Sequence, residues 1–468
     1  MDRKILNKLS FSLLAQVLSI VVSLIFSLGI TKVLDIEHYG YWQLFILYSN
    51  YAGFFHLGIC DGLYLKFGGR KVERINKTNF SNQLFRFFCL EVLISMLFLL
   101  ILEFSTNDPI KFGLLIYIIP YLIIANIQTY LSYVLLATNK IEKYSISVFI
   151  EKVFIIISIV VLYFLKKIDV NALIYIYIIG KSLSILYLIY FISPLLEFKA
   201  FFSRSSSSNK ALLNYAIIGI PLMFSNILST LIIGSNRLLT EHKYGIIAFS
   251  KLSFSISLVF LFIIFVSQIG IVLFPIIRRM NEENRKQIYY WIDNNLTLLF
   301  SCLIIFYYPL IVFVKNYVPN YLDSVKYLSF MLPICIFEGK FQILFNTMYK
   351  VLNKQKTIFI VNCVSLFLSL IFTFLSLYVF DSIMLSIWSL VFVIMVRAIT
   401  SEILLNKILK INRINIVIQS ILISVAFIMI NMRFDLLFAG IFYMAFLLFY
   451  LAYKYFQKEL NISFKGGI

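Results

Sequence analysis

The chain predicts an all-α polytopic membrane protein, with about fourteen transmembrane helices forming two pseudo-symmetric six-helix bundles and two appended C-terminal helices. Three observations carry that reading. The 468 residues are 61% hydrophobic and 13% charged, with a mean hydropathy of +0.93, more apolar surface than a water-soluble core of this length could hide. The apolar residues gather in runs of bilayer length separated by short polar segments. Lysine and arginine collect in alternate segments, 26 on the side of the N-terminus against nine on the other, a bias that places both termini in the cytoplasm and asks for an even number of spans.

In chain order the expected spans are 10–33, 40–65, 84–104, 112–137, 145–165, 170–192, 211–234, 246–275, 292–314, 327–349, 357–379, 382–405, 414–431 and 435–456. Each is long enough, or nearly so, for a tilted helix. The opening hairpin from Lys8 to Lys77 pairs two such runs across a tight acidic turn and closes on Lys66, Arg70, Lys71, Arg74 and Lys77. It has an echo: Glu37-His38-Tyr39-Gly40 and Glu241-His242-Lys243-Tyr244-Gly245 stand at matching places between span, turn, span and basic loop, the mark of a duplicated bundle. Gly29, Pro120, Gly180, Pro221 and Pro333 fall inside spans, where neighbouring helices satisfy the freed backbone and some kinks are expected. A serine-rich linker, 193–210, separates a bundle at 1–192 from one at 211–405, and 406–468 supplies the extra pair of helices and a cytoplasmic tail. Six spans per bundle give both the same orientation, related by an axis along the membrane normal.

The net charge of +19 does not point to nucleic acid, because the basic residues sit in short loops between apolar runs rather than on one face of a soluble domain. Cys60, Cys89, Cys302, Cys335 and Cys363 lie within apolar runs without metal-ligand spacing and read as packing residues. The first apolar run lacks a small-residue cleavage pattern and is expected to remain as a span. No nucleophile triad, metal cluster or phosphate-binding glycine loop is visible, so neither catalysis nor a cofactor is expected.

The informative residues are the charges left inside the spans. Arg86, Lys152, Lys181, Lys251, Lys340 and Arg397 lie at membrane depth, where a charge costs about 2.5–3.5 kcal/mol on insertion scales. Each therefore needs a partner, a wet cavity or an interface. Arg86 and Arg397 lie near cytoplasmic boundaries and can snorkel, whereas Lys181 and Lys340 stand deep in their spans and favour a cavity. Asp61, Glu91, Glu151 and Glu338, with Glu402, are available as ion-pair or coupling acids. Glu151 beside Lys152, and Glu338 two residues from Lys340, are expected to find partners on other helices. A cavity holding several fixed positive charges in a low-dielectric wall attracts an anionic head group, with phosphate the obvious candidate. His56 either faces such a cavity or packs, His38 and His242 lie on outer turns, and tyrosines within the spans can stack on sugar rings.

At this point the chain resembles a family. Gly29-Ile30-Thr31-Lys32-Val33-Leu34 running into Asp35-Ile36-Glu37-His38-Tyr39-Gly40 resembles the first-loop signature of the polysaccharide-unit flippases of the multidrug/oligosaccharidyl-lipid/polysaccharide exporter superfamily. Leu57 to Leu63 followed by Lys66-Phe67-Gly68 is similar to the end of their second span, and Gly219-Ile220-Pro221-Leu222 and Phe274-Pro275 to motifs of their seventh and eighth. One departure is Asn236-Arg237, where many relatives carry Asp-Arg. The resemblance implies translocation of an oligosaccharide repeat unit on a polyprenyl pyrophosphate carrier across the bacterial cytoplasmic membrane, by alternating access, for O-antigen, capsule or exopolysaccharide assembly. It implies a polysaccharide polymerase and chain-length machinery as further partners. The alternatives are a peptidoglycan-precursor flippase, whose basic cluster in the first span is missing here, and a multidrug exporter of the same superfamily. The exporter would carry acids in its first or seventh span, yet 11–31 and 211–234 contain none. A membrane polymerase or ligase would need larger outer loops than this chain has.

Overall fold

The computed structural model describes residues 17–68, 75–102, 108–201, 206–411 and 414–456. The start of the first expected span, the basic residues Arg70, Lys71, Arg74 and Arg204, part of the serine-rich linker and the tail lie outside the described residues. Every regular element among the described residues is helical. Among the described residues, ten helices are each long and apolar enough to cross a membrane, and an eleventh span arises if the bent pair Pro319–Met331 and Pro333–Val351 is one. The chain is a multi-pass membrane protein. Its outward surface fits lipid: Leu93, Met96, Leu97, Leu100 and Ile101 of one helix are all exposed, and each such side chain left in water would forfeit about 1.5–3 kcal/mol.

The first of two compact units is Met1–Ile227. Its helices are α1 (Val17–Val33), α2 (Ile36–Ala52), α3 (Ile59–Phe67), α4 (Lys77–Leu102), α5 (Pro109–Ala137), α6 (Ile141–Phe164) and α7 (Val170–Ile192). Asp35 caps α2, its carboxylate accepting from the His38 amide at 2.8 Å, and Asp108 and Asp169 cap α5 and α7 in the same way; each cap satisfies a backbone donor the helix cannot. The second expected span is not one helix. It breaks between Ala52 and Ile59, where Gly58 takes a left-handed φ of 75°. The next helix, α8 (Ser206–Arg279), begins in this unit and crosses α3 so closely that a Cβ on Gly62 would meet the Tyr215 carbonyl and one on Gly219 the Gly58 carbonyl. Such crossings are built from small residues spaced four apart. Helix α5 is the hub of the unit, packing on α2, α3, α4, α6 and α7.

The second unit is Leu228–Ile468. Helix α8 breaks here at Gly245, with φ 79° and ψ −179°. The other helices are α9 (Glu282–Leu303), α10 (Tyr307–Tyr317), α11 (Leu322–Met331), α12 (Pro333–Val351), α13 (Gln355–Val379), α14 (Ile383–Leu409), α15 (Ile414–Arg433) and α16 (Leu436–Phe456). The bend of 53° between α11 and α12 falls at Pro333, whose ring cannot continue the preceding hydrogen-bond ladder. The appended pair is docked by polar contacts: the Tyr443 hydroxyl donates to the Ser301 carbonyl at 3.0 Å, and Lys454 donates to Asn294. The sequence echo is corrected at residue level. Glu37 to Gly40 lie in the first turn of α2, after the chain has turned at Leu34 and Asp35, whereas Glu241 to Tyr244 precede the break at Gly245. The two motifs therefore stand on opposite sides of their turns.

Candidate functional site

In the first unit three helices bring together the charges of α6 and α7. Glu151, 4% exposed, lies near the middle of α6, and Lys181 stands at the midpoint of α7. The Lys152 ammonium lies 2.8 Å from Glu151 Oε1, which corrects the expectation that these neighbours could not meet: the four-carbon lysine stem curls back across the helix. Gln128 of α5 completes the cluster. Its amide nitrogen donates to Glu151 Oε2 at 2.8 Å and to the Ser184 hydroxyl at 2.9 Å, while its carbonyl accepts from Lys181 at 2.9 Å. Lys181 keeps 4.0 Å from Glu151. Two ammonium groups thus share one carboxylate, and the cluster carries one excess positive charge. The side chains of Lys152 and Lys181 are 17% and 15% exposed, so that charge is sheltered but reachable.

Aromatic rings frame it. Lys181 lies 5.7 Å from the ring centres of both Tyr121 and Tyr177, which stack on each other at 5.8 Å with planes 13° apart. Trp42 and Phe45 of α2 meet Tyr177 edge-on behind them. Toward the N-terminal ends of α5 and α7, the Tyr117 and Tyr175 hydroxyls are 3.2 Å apart. Ring faces favour cations; Tyr121 is buried, Tyr177 half-buried and Tyr175 exposed, so the last two are the rings with surface left for stacking on a sugar.

The second unit buries its charges differently. The Lys340 ammonium lies 2.7 Å from Asp293 and 3.0 Å from Glu402, and its side chain is 1% exposed. Arg397, 0% exposed, pairs with Glu338, donates to the Ser229 hydroxyl at 2.9 Å and lies 4.0 Å from the Phe341 ring centre. Snorkelling is therefore corrected for Arg397: its guanidinium points into the protein. Glu338 also accepts from Gln342 at 2.8 Å, and Lys454 is fully buried beside Asn294. Asp293, Glu338 and Glu402 thus stand against Lys340 and Arg397, while Lys454 bonds the Asn294 side chain next to Asp293, so this cluster has no surplus cation that solvent can reach. Neither Lys340 nor Arg397 presents a free charge to solvent.

The remaining expected residues lie apart from both clusters. Lys251 pairs with Asp323 at 2.6 Å on an exposed edge. Arg86 donates to Asn209 at an exposed position. Asp61 is buried with His56 Nε2 at 3.7 Å, and Glu91 is buried against Asn126. Asn236, in place of the expected family acid, donates to the Thr373 hydroxyl and the Ser386 carbonyl, both at 3.1 Å. Two oxygens that could have faced a cation beside a carboxylate are thus occupied by an amide. The residues missed at sequence level are Gln128 and Asp293. Gln128 was detectable, with Asn126, as one of two amides in a long apolar run, since a buried amide needs partners.

No family model matches the chain, and no curated protein matches it. Solved structures do. The chain resembles an inward-facing multidrug resistance MATE family transporter of the MOP superfamily with a TM-score of 0.65 at 12% identity, over 86% of this chain and 97% of the other. An outward-facing form of a MATE family transporter of the MOP superfamily gives 0.60 at 11% identity, over 86% and 95%. A MOP superfamily transporter from Pyrococcus furiosus, described as having a binding pocket of reverse polarity that suggests a different function, gives 0.51 at 11% identity, over 86% and 95%. The fold is MATE-like.

Proposed function

We propose that the protein is an alternating-access flippase whose first unit binds the anionic head of a polyprenyl-pyrophosphate-linked oligosaccharide. The single observation that carries this reading is the charge excess of the Lys152–Glu151–Lys181 cluster at the middle of its helices. A fixed positive charge in a low-dielectric wall concentrates anions and repels cations. A lipophilic cation would find there a carboxylate already claimed by two lysines. The same fold in inward-facing and outward-facing forms of other transporters supports alternating access, and the Pyrococcus furiosus relative is a precedent for reversed pocket polarity on this scaffold. Half-buried Tyr177, backed by the buried Tyr121, supplies a ring beside the charge, the pairing a glycosylated phosphate requires. The O-antigen, capsule or exopolysaccharide context follows from the first-loop resemblance.

The test is equilibrium binding of a long-chain polyprenyl pyrophosphate to the full chain in lipid nanodiscs. The Lys152→Gln/Lys181→Gln variant is expected to lose about ten-fold or more in affinity, since a charge-assisted hydrogen bond is worth about 1.5–3 kcal/mol. Wild-type protein that ignores the pyrophosphate lipid but binds a lipophilic cation would replace this reading with that of a drug exporter.

A further inference from the structure

Glu91 stands near the middle of α4 and is 0% exposed. Its Oε2 accepts from the Asn126 amide at 2.7 Å, while its Oε1 meets no donor. Among the described residues, no cation lies within ion-pair distance of it. Its titratable neighbour is Cys60 of α3. Asp61, which follows Cys60, is matched with a base of its own, His56 at 3.7 Å. An ionised carboxylate held by a single neutral amide in this setting would cost several kcal/mol, and such a group takes up a proton instead. Two further buried atoms lack hydrogen-bond partners: the Ser95 hydroxyl, one turn along α4, and Asn126 Oδ1. Neither bonds Oε1 directly, and both are oxygens that a bridging water can join to an acid.

Asn126 ties this acid to a mechanical element. Its amide nitrogen also donates to the Ala52 carbonyl at 3.3 Å, and the Cys60 thiol lies 3.9 Å from its own carbonyl. Ala52 is the last residue of α2 and Cys60 the second of α3, so one residue touches both sides of the break in the second span, its side chain on Ala52 and its main chain on Cys60. Two residues along α5, on its other face, Gln128 holds Lys181 and Glu151. We propose that Glu91 is a proton-binding site, that it carries its proton in this conformation, and that Asn126 and α5 couple the proton to the α2–α3 break and to the head-group cluster. Loss of the proton turns Glu91 into a stronger acceptor. The Asn126 amide is then drawn from the Ala52 carbonyl, and the break is free to change angle. The coupling half rests on the head-group reading; the proton site does not.

Infrared spectroscopy of the full chain in nanodiscs tests both halves. At neutral pH the wild type is expected to show the carbonyl band of a protonated carboxylic acid, shifted by deuteration, kept in Glu151→Gln and reduced in Glu91→Gln. Absence of the band, or an unchanged band in Glu91→Gln, overturns the site. Should Glu91→Gln not fold, Asn126→Ala is expected to shift the band by removing the hydrogen bond to Oε2; no shift overturns the site equally. Adding polyprenyl pyrophosphate is expected to alter the band. Binding without any change in the band overturns the coupling, whereas a band with no binding counts against the head-group reading and leaves the proton site standing.

Discussion

In the first unit two lysines share one carboxylate through a glutamine, and the lysine stems remain partly exposed. In the second, Lys340 and Arg397 meet three carboxylates and are sealed at 1% and 0% exposure. Both arrangements answer the same cost of placing charge in an apolar bundle, but the first leaves positive charge over and the second does not. A sealed ion-pair network holds helices in register; a cationic one that water reaches is open to an anionic ligand. Ion pairs in the second unit thus fix where α12 and α14 stand and tie in α15 through Lys340 and Ser420, 3.4 Å apart.

The contrast can be broken from the stability side first. Arg397→Leu leaves Glu338 buried without its cation and is expected to cost about 3–5 kcal/mol, read as a fall in thermal unfolding midpoint in detergent. Adding Glu338→Leu should recover most of that loss, because an apolar pair of similar volume is tolerated where a lone charge is not. From the binding side, Lys181→Gln is expected to weaken polyprenyl pyrophosphate binding about ten-fold while changing the unfolding midpoint little, its ammonium being reachable by water. An equal loss of stability in both variants would erase the distinction. Least affected should be Lys251→Gln, since its partner Asp323 is 59% exposed and such pairs contribute about 0–1 kcal/mol; neither unfolding nor binding should move appreciably.

The sequence disclosed the helices because a bilayer imposes one requirement, an apolar run of sufficient length, that hydropathy reads directly. It did not disclose where runs break. Gly58 and Gly245 differ from Gly180, which stays inside a regular helix, in their backbone conformation; at Gly58 the backbone of Gly219 and Ile220 packs close, a contact from far along the chain that the local sequence does not show. Charges at membrane depth were visible one by one, but their partners were not. Asp293 and Glu402 are far in sequence from Lys340, and Gln128 from Lys181; which acid meets which base depends on helix rotation. Lys152 shows the opposite failure, where helical spacing argued against a contact that a flexible stem makes.

The central claim is that the first unit's cluster recognises an anion through its surplus positive charge. Polyprenyl pyrophosphate affinity should therefore be measured in Glu151→Gln and Lys181→Gln side by side, in nanodiscs at low ionic strength, where screening is weakest. Removing the acid is expected to tighten binding and removing the base to loosen it. Affinities that move in the same direction in both variants would contradict recognition by charge.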